Sequence, residues 1–253
     1  MRSANQLVGR TLAELSKHIK PGITTSQLDA IAEEFIRANG AEPAFKHYPN
    51  PFGSPFPASI CTSVNSVIVH GIPDDLTVLR EGDVISIDCG TLFAGYNGDS
   101  CYTFCVGKVL DDARHLLDVT LSALYKGIEA ATAGNHVGDI GYAIRRYCVK
   151  HGCDVVSNLT GHGIGRKLHE APMIPNEGRP GDGVMLKEGM CLSIEPMAVL
   201  GSRKTRLLPD RWGMATLDGG IAAHYEHTIV VRRGKAEILS SFDDIQNFER
   251  ANY

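Results

Sequence analysis

One segment of this chain occurs twice, and that repetition constrains the fold more than any other feature. Residues 81–88 read EGDVISID and residues 188–195 read EGMCLSIE, an offset of 107. Each is a Glu-Gly turn, an apolar strand containing Ser-Ile, and a closing carboxylate. A second apolar strand follows each, 99–106 in one half and 224–231 in the other. The preceding helices also correspond. Residues 22–40 match residues 134–152 at an offset of 112, with Leu28, Ile31 and Phe35 on one helical face and Ile140, Ile144 and Cys148 on the other. Both stretches close on a glycine suited to a helix C-terminus. Between them, VHGIP at 69–73 aligns loosely with LHEAP at 168–172. Three correspondences in one order describe an α+β chain of two pseudo-symmetric halves, about 1–108 and 109–253, folded as a single domain. Each half would supply helices and an antiparallel strand pair. The strands would join in one curved sheet covered by helices.

The repeat places acids at strand ends. Asp88 and Asp99 stand eleven residues apart across the turn-rich segment FAGYNG, flanked by Val84, Ile85, Ile87, Tyr102, Phe104 and Val106. Two carboxylates in so apolar a setting repel each other and resist desolvation unless a cation lies between them. The second half repeats the arrangement with Glu195 and Glu226. His162, within TGHGIG, adds one nitrogen beside glycines that permit close backbone approach. Four acids and one imidazole make an oxygen-rich set that suits manganese, iron(II), cobalt or zinc. Two such ions sharing carboxylates would stand about 3.5–4 Å apart, the spacing of hydrolytic two-metal sites.

Other classes are disfavoured. The net charge of −4 offers no field for nucleic acid or an anionic membrane, and Arg203, Lys204 and Arg206 read as a solvated loop. Leu7, Leu12, Leu15 and Ile19 recur at helical spacing, so the N-terminus reads as a folded helix and not a signal peptide. No apolar run approaches a membrane span, so a soluble, cytoplasmic protein is expected. The seven cysteines lack paired spacing and read as reduced, buried thiols.

HGIP at 70–73, Ile87-Asp88, Gly98-Asp99-Ser100, GHGIG at 161–165, His169-Glu170, IEPM at 194–197 and YEHT at 225–228 together resemble the type I methionine aminopeptidases, in order and over nearly the whole chain. The resemblance implies the pita-bread fold and the short bacterial form. It implies that Asp88 is a bidentate ligand of one metal, that Asp99 and Glu226 bridge, and that His162 and Glu195 complete the other. It implies removal of the initiator methionine from peptides and nascent chains by a hydroxide bridging the two metals, with Glu195 as proton shuttle. His169 would donate to the carbonyl oxygen as charge develops there, and His70 would contact the scissile amide nitrogen or the next residue. An open metal position would take the substrate's α-amine. Phe56, Cys61, Leu168 and Trp212 would line the side-chain pocket. Phe56 stands where tyrosine is frequent, Leu168 where the bacterial enzymes usually carry phenylalanine, and the loop at 48–57 (YPNPFGSPFP) is richer in proline than usual. These departures bear on pocket width and on the residue after methionine. A monomer in transient contact with the ribosome is expected. The rivals are a proline-specific aminopeptidase or dipeptidase of the same fold, and a metal-free pita-bread binding protein.

Overall fold

The computed structural model describes residues 1–252. Five helices are present among the described residues: α1 (Arg2–Ser16), α2 (Thr25–Ala38), α3 (Asp111–Ala130), α4 (Val137–Lys150) and α5 (Asp243–Asn252). The repeated helices α2 and α4 begin and end alike. Thr24 and Gln27 form a reciprocal capping box at the start of α2, and His136 and Asp139 form one at the start of α4. Each box satisfies two of the amides that an open helix end leaves unpaired. Gly22 and Gly134 precede them at φ 95° and 98°, and Gly40 and Gly152 follow at 75° and 79°. Any other residue would be strained there. The face of α2 bearing Leu28, Ala32 and Ile36 is buried, as is that of α4 bearing Ile140, Ile144 and Cys148. α1 buries Leu7, Leu12 and Leu15 but stops at Ser16, so Ile19 packs from the turn beyond it. Gly98 lets α1 lie directly on a strand, since a Cβ there would come within 2.6 Å of the Ala4 carbonyl carbon.

Among the described residues the strands form four antiparallel sheets, of four, three, three and five strands. In the first half, strand Val84–Phe93 pairs with Tyr96–Cys105 on one side and with Ile60–Val64 on the other. Ala94 and Gly95, both at positive φ, close that hairpin as a two-residue turn matched to strand twist. In the second half, Cys191–Ile194 pairs with His227–Val230 and with Thr160–Gly163, while Met197–Val199 pairs with Ala222–His224. The strand expected at 224–231 is therefore interrupted at Tyr225 and Glu226. Pro196, which has no N–H to give, sits opposite the gap.

The freed backbone turns to the other half. The Glu226 amide donates to the Cys101 carbonyl at 2.9 Å. The Thr228 hydroxyl donates to the Asp99 carbonyl at 2.8 Å, and the Thr103 hydroxyl to the His224 carbonyl at 2.7 Å. These bonds stitch strand Tyr96–Cys105 to the second hairpin. One apolar core runs across the seam, from Leu12 and Ile36 through Ile87 and Leu124 to Leu192 and Ile229. Ile87 and Ile194, each fully buried and each directly before an acid, fix where that acid emerges. Truncating either to alanine would cost about 2–5 kcal/mol.

Candidate metal centre

The acids converge at this seam. Asp88, Asp99, His162, Glu195 and Glu226 line one cleft of about 650 Å³. Asp99, His162 and Glu226 each offer a ligand atom within 4.8 Å of the others. His162 Nε2 lies 3.6 Å from Glu195 Oε1 and 3.7 Å from Asp99 Oδ2. Its Nδ1 donates to the Gly163 carbonyl at 2.9 Å, which leaves the Nε2 lone pair facing the carboxylates. Burial pushes the imidazole down to about 4, so it is neutral, as a ligand must be. The glycines of GHGIG are needed for contact: a Cβ at Gly161 would strike the Ser193 carbonyl, and one at Gly163 the Ala171 carbonyl.

The four acids lack compensation. Burial raises Asp88 to about 6, and burial with mutual repulsion raises Asp99, Glu195 and Glu226 well above the ordinary carboxylate range. Among the described residues no lysine or arginine pairs with any of them; their close partners are histidines and the Ser193 hydroxyl, which donates to Glu226. Asp88 Oδ1 and Asp99 Oδ1 are buried with no hydrogen bond. Oxygen atoms orphaned in this way are costly unless a cation meets them. The donor set therefore fits divalent ions, being hard oxygen plus one imidazole.

The remaining residues singled out from the sequence line the same cleft: His70, His169, Phe56, Cys61, Leu168 and Trp212. Phe56, Cys61 and Leu168 belong to a small apolar cluster with Phe45 and Ile164, against which Trp212 and Tyr48 pack. Phe56 meets Trp212 edge-on at 5.2 Å. Cys61 faces Asp88 across the ladder, and burial raises its thiol far above the reactive range. His70 adopts φ 58°, and burial lowers its imidazole to about 4. His169 stands at the open rim with its ring 4.3 Å from that of His162.

Three residues of the site escaped the sequence reading. Phe45 and Tyr48 line the cleft but belong to no motif, and Tyr48 was met only as the start of the proline-rich loop, with no role of its own. His224 is 1% exposed, has no hydrogen bond to either ring nitrogen, and holds Nε2 3.5 Å from Glu195 Oε2. The repeat itself carried the signal for His224, because the strand register sets it opposite Met197, two residues beyond Glu195.

The family model for metallopeptidase family M24 matches residues 1–233. Methionine aminopeptidase 1 of Bacillus subtilis is 48% identical over 240 residues, covering 95% of this chain and 94% of that protein. The methionine aminopeptidase of Clostridium acetobutylicum is 45% identical over the same shares. The crystal structure of methionine aminopeptidase from Rickettsia prowazekii superposes with a TM-score of 0.91 at 42% identity, covering 95% of both chains. A buried acid cage with a neutral imidazole, on a pita-bread frame shared end to end with such relatives, leaves one conclusion: this chain belongs to the M24 metallopeptidase family.

Proposed function

We propose that this protein is a metal-dependent aminopeptidase that removes the N-terminal methionine from peptides and newly made proteins, acting as one catalytic domain built from both halves. Asp88, Asp99, His162, Glu195 and Glu226 would hold two divalent ions of cobalt, manganese, iron or zinc, with Asp99 and Glu226 shared. When bound, the ions supply Lewis acidity, a water made nucleophilic at neutral pH and an open position for the substrate's α-amine. Glu195 carries a proton from the attacking water to the leaving nitrogen. His169 donates to the carbonyl oxygen as negative charge gathers there, and His70 steadies the scissile amide. The apolar wall of Phe45, Phe56, Cys61, Leu168 and Trp212 accepts an unbranched, apolar side chain and excludes water from it.

The observation that carries this reading is a cluster of four acids, Asp99 and Glu226 buried and Asp88 and Glu195 half-buried, that no lysine or arginine among the described residues neutralises, beside an apolar pocket in the same cleft. Family membership alone supports the wider setting: nascent chains as substrates, transient ribosome contact, a monomer and a cytoplasmic location. No helix among the described residues is long and apolar enough to cross a membrane.

The test is hydrolysis of Met-Gly-Met and of an X-Pro peptide by protein dialysed free of metal and then given manganese, iron, cobalt or zinc. Release of methionine only after metal addition is expected. Preferential cleavage of the X-Pro peptide, or cleavage indifferent to metal, would overturn the reading. Cosedimentation with ribosomes tests the setting separately.

A further inference from the structure

The proline-rich loop at 48–57 reaches the chemistry through its first residue. The Tyr48 hydroxyl lies 2.6 Å from His169 Nδ1, and the two rings meet edge to face with centroids 5.1 Å apart. Tyr48 is held from both ends. Its amide donates to the Phe45 carbonyl at 2.9 Å, and its own carbonyl accepts from the Phe56 amide at 2.9 Å. The loop between is strapped to the pocket wall: Trp212 Nε1 donates to the Ser54 carbonyl at 3.0 Å, and Arg211 Nη1 to the Phe52 carbonyl at 3.0 Å. Asn50 Nδ2 returns a bond to the Arg211 carbonyl at 3.1 Å. Tyr48 is thus fixed by the same segment that fixes Trp212.

One hydrogen occupies the short gap between phenol and imidazole, and its origin decides the histidine tautomer. A phenol is a better donor than a neutral imidazole N–H, and an imidazole nitrogen is a better acceptor than a phenol oxygen. The hydrogen therefore belongs to Tyr48, and Nδ1 accepts. The ring's own hydrogen then resides on Nε2. The opposite tautomer would present a lone pair at Nε2 and could give nothing to a carbonyl oxygen.

We propose that Tyr48 is a positioning residue for the hydrolysis: by donating to His169 Nδ1 it keeps the ring hydrogen on Nε2, the nitrogen left to meet the substrate's carbonyl. This rests on the reading of His169 as the carbonyl's donor. The loop that orients Tyr48 also bonds to Trp212, so the residue that aims His169 and the pocket wall share one segment.

Tyr48→Phe removes the donor and keeps the ring. The expected result on Met-Gly-Met is a kcat lowered about 10–100-fold with KM changed less than about threefold, because the lost bond acts in the transition state. Manganese affinity by calorimetry should be unchanged. In a His169→Ala background, Tyr48→Phe should have no further effect on kcat. Nitrogen-15 spectra of histidine-labelled, metal-free protein should show His169 protonated at Nε2, and Tyr48→Phe should erase that bias. An unaltered His169 signal in Tyr48→Phe, or an equal loss of kcat in the His169→Ala background, would overturn the proposal. His169→Ala with full kcat would instead sink the role given to His169, while the spectrum alone still reads the tautomer.

Discussion

The two hairpins occupy equivalent positions in the two halves, yet they carry their acids on different rungs. In the first, Asp88 faces Cys101 and Asp99 faces Gly90, so the acids sit diagonally across the ladder. In the second, Ile194 faces His227 and Met197 faces His224, which sets Glu195 and Glu226 on the intervening level, side by side. Superposing Asp88 on Glu195 brings Gly90 onto Met197, Cys101 onto Glu226 and Asp99 onto His224. Two sites in each half are therefore shared by symmetry, but different ones were filled with carboxylates. A cage with four acids on symmetric rungs would need each half to keep the same pair. This one is lopsided, and its two leftover positions hold a buried thiol and a buried imidazole. The Cys101 thiol is pushed far up by burial, and nothing in the cleft calls on it. His224 sits against a proposed ligand.

That asymmetry can be broken by substitution. Asp99→Ala and Glu226→Ala each remove a carboxylate proposed to be shared by two ions, and activity on Met-Gly-Met should fall to background with metal content lost from the dialysed protein. Retained metal in either variant would mean that the cage is not built at the seam. The conservative Asp99→Asn separates cost from use. In metal-free protein it removes a carboxyl whose ionisation is opposed by burial and by its acidic neighbours, so stability near neutrality should rise by about 1–3 kcal/mol. At this chain length that is a few degrees of Tm. Manganese should reverse the order, stabilising the parent and not the variant.

The leftover imidazole gives a smaller effect. His224→Ala should weaken manganese binding about 10–100-fold, the usual loss when a neighbour that orients a ligand is removed. His224→Gln, which keeps a donor, should recover most of it. Cys101→Ala should change neither binding nor rate. Equal metal affinity in all three proteins would show the two leftover positions to be equally idle.

The smallest difference lies in the helices. At the offset of 112 that relates α2 to α4, Glu33 corresponds to Arg145. Glu33 binds Lys46 at 2.6 Å and Arg37 at 2.9 Å, whereas Arg145 binds Asp154 at 2.9 Å and Glu177 at 3.1 Å. The same anchor is built with opposite signs. The bonds from Lys46 and Arg37 hold Glu33 down at about 2, below its ordinary 4.5. A depressed folded pKa contributes stability that is complete above the unfolded value and lost as pH falls through the folded one. Glu33→Gln should therefore cost about 0.5–1 kcal/mol near neutrality, a figure reduced for solvent screening. Denaturation curves of parent and variant should converge between about pH 4.5 and pH 2. A constant gap across that window would assign the effect to packing.

How much of this was legible beforehand depended on periodicity. The helices at 22–40 and 134–152, the hairpins and the four candidate acids lay on the repeated segments, whereas His162 was read from its glycine-rich setting outside them. The break at Tyr225–Glu226 needed one more inference: Pro196 cannot donate to the strand that would have faced it. His224 needed the register carried two residues further. Phe45 and Tyr48 were beyond reach, because they belong to a segment with no counterpart in the other half. Tyr48 meets His169 across 121 positions, through a loop whose path the wall around Trp212 determines.

The seam between Tyr96–Cys105 and the second hairpin has a further implication. Either half by itself would end in a bare strand edge with two acids beside it, open to pairing with any other edge in solution. Joined in one polypeptide, each half meets its complement at the effective concentration set by the intervening chain, not by the number of molecules in the compartment. Covalent fusion thereby turns a meeting that would depend on dilution into a folding event, and every molecule carries a whole cage at any abundance.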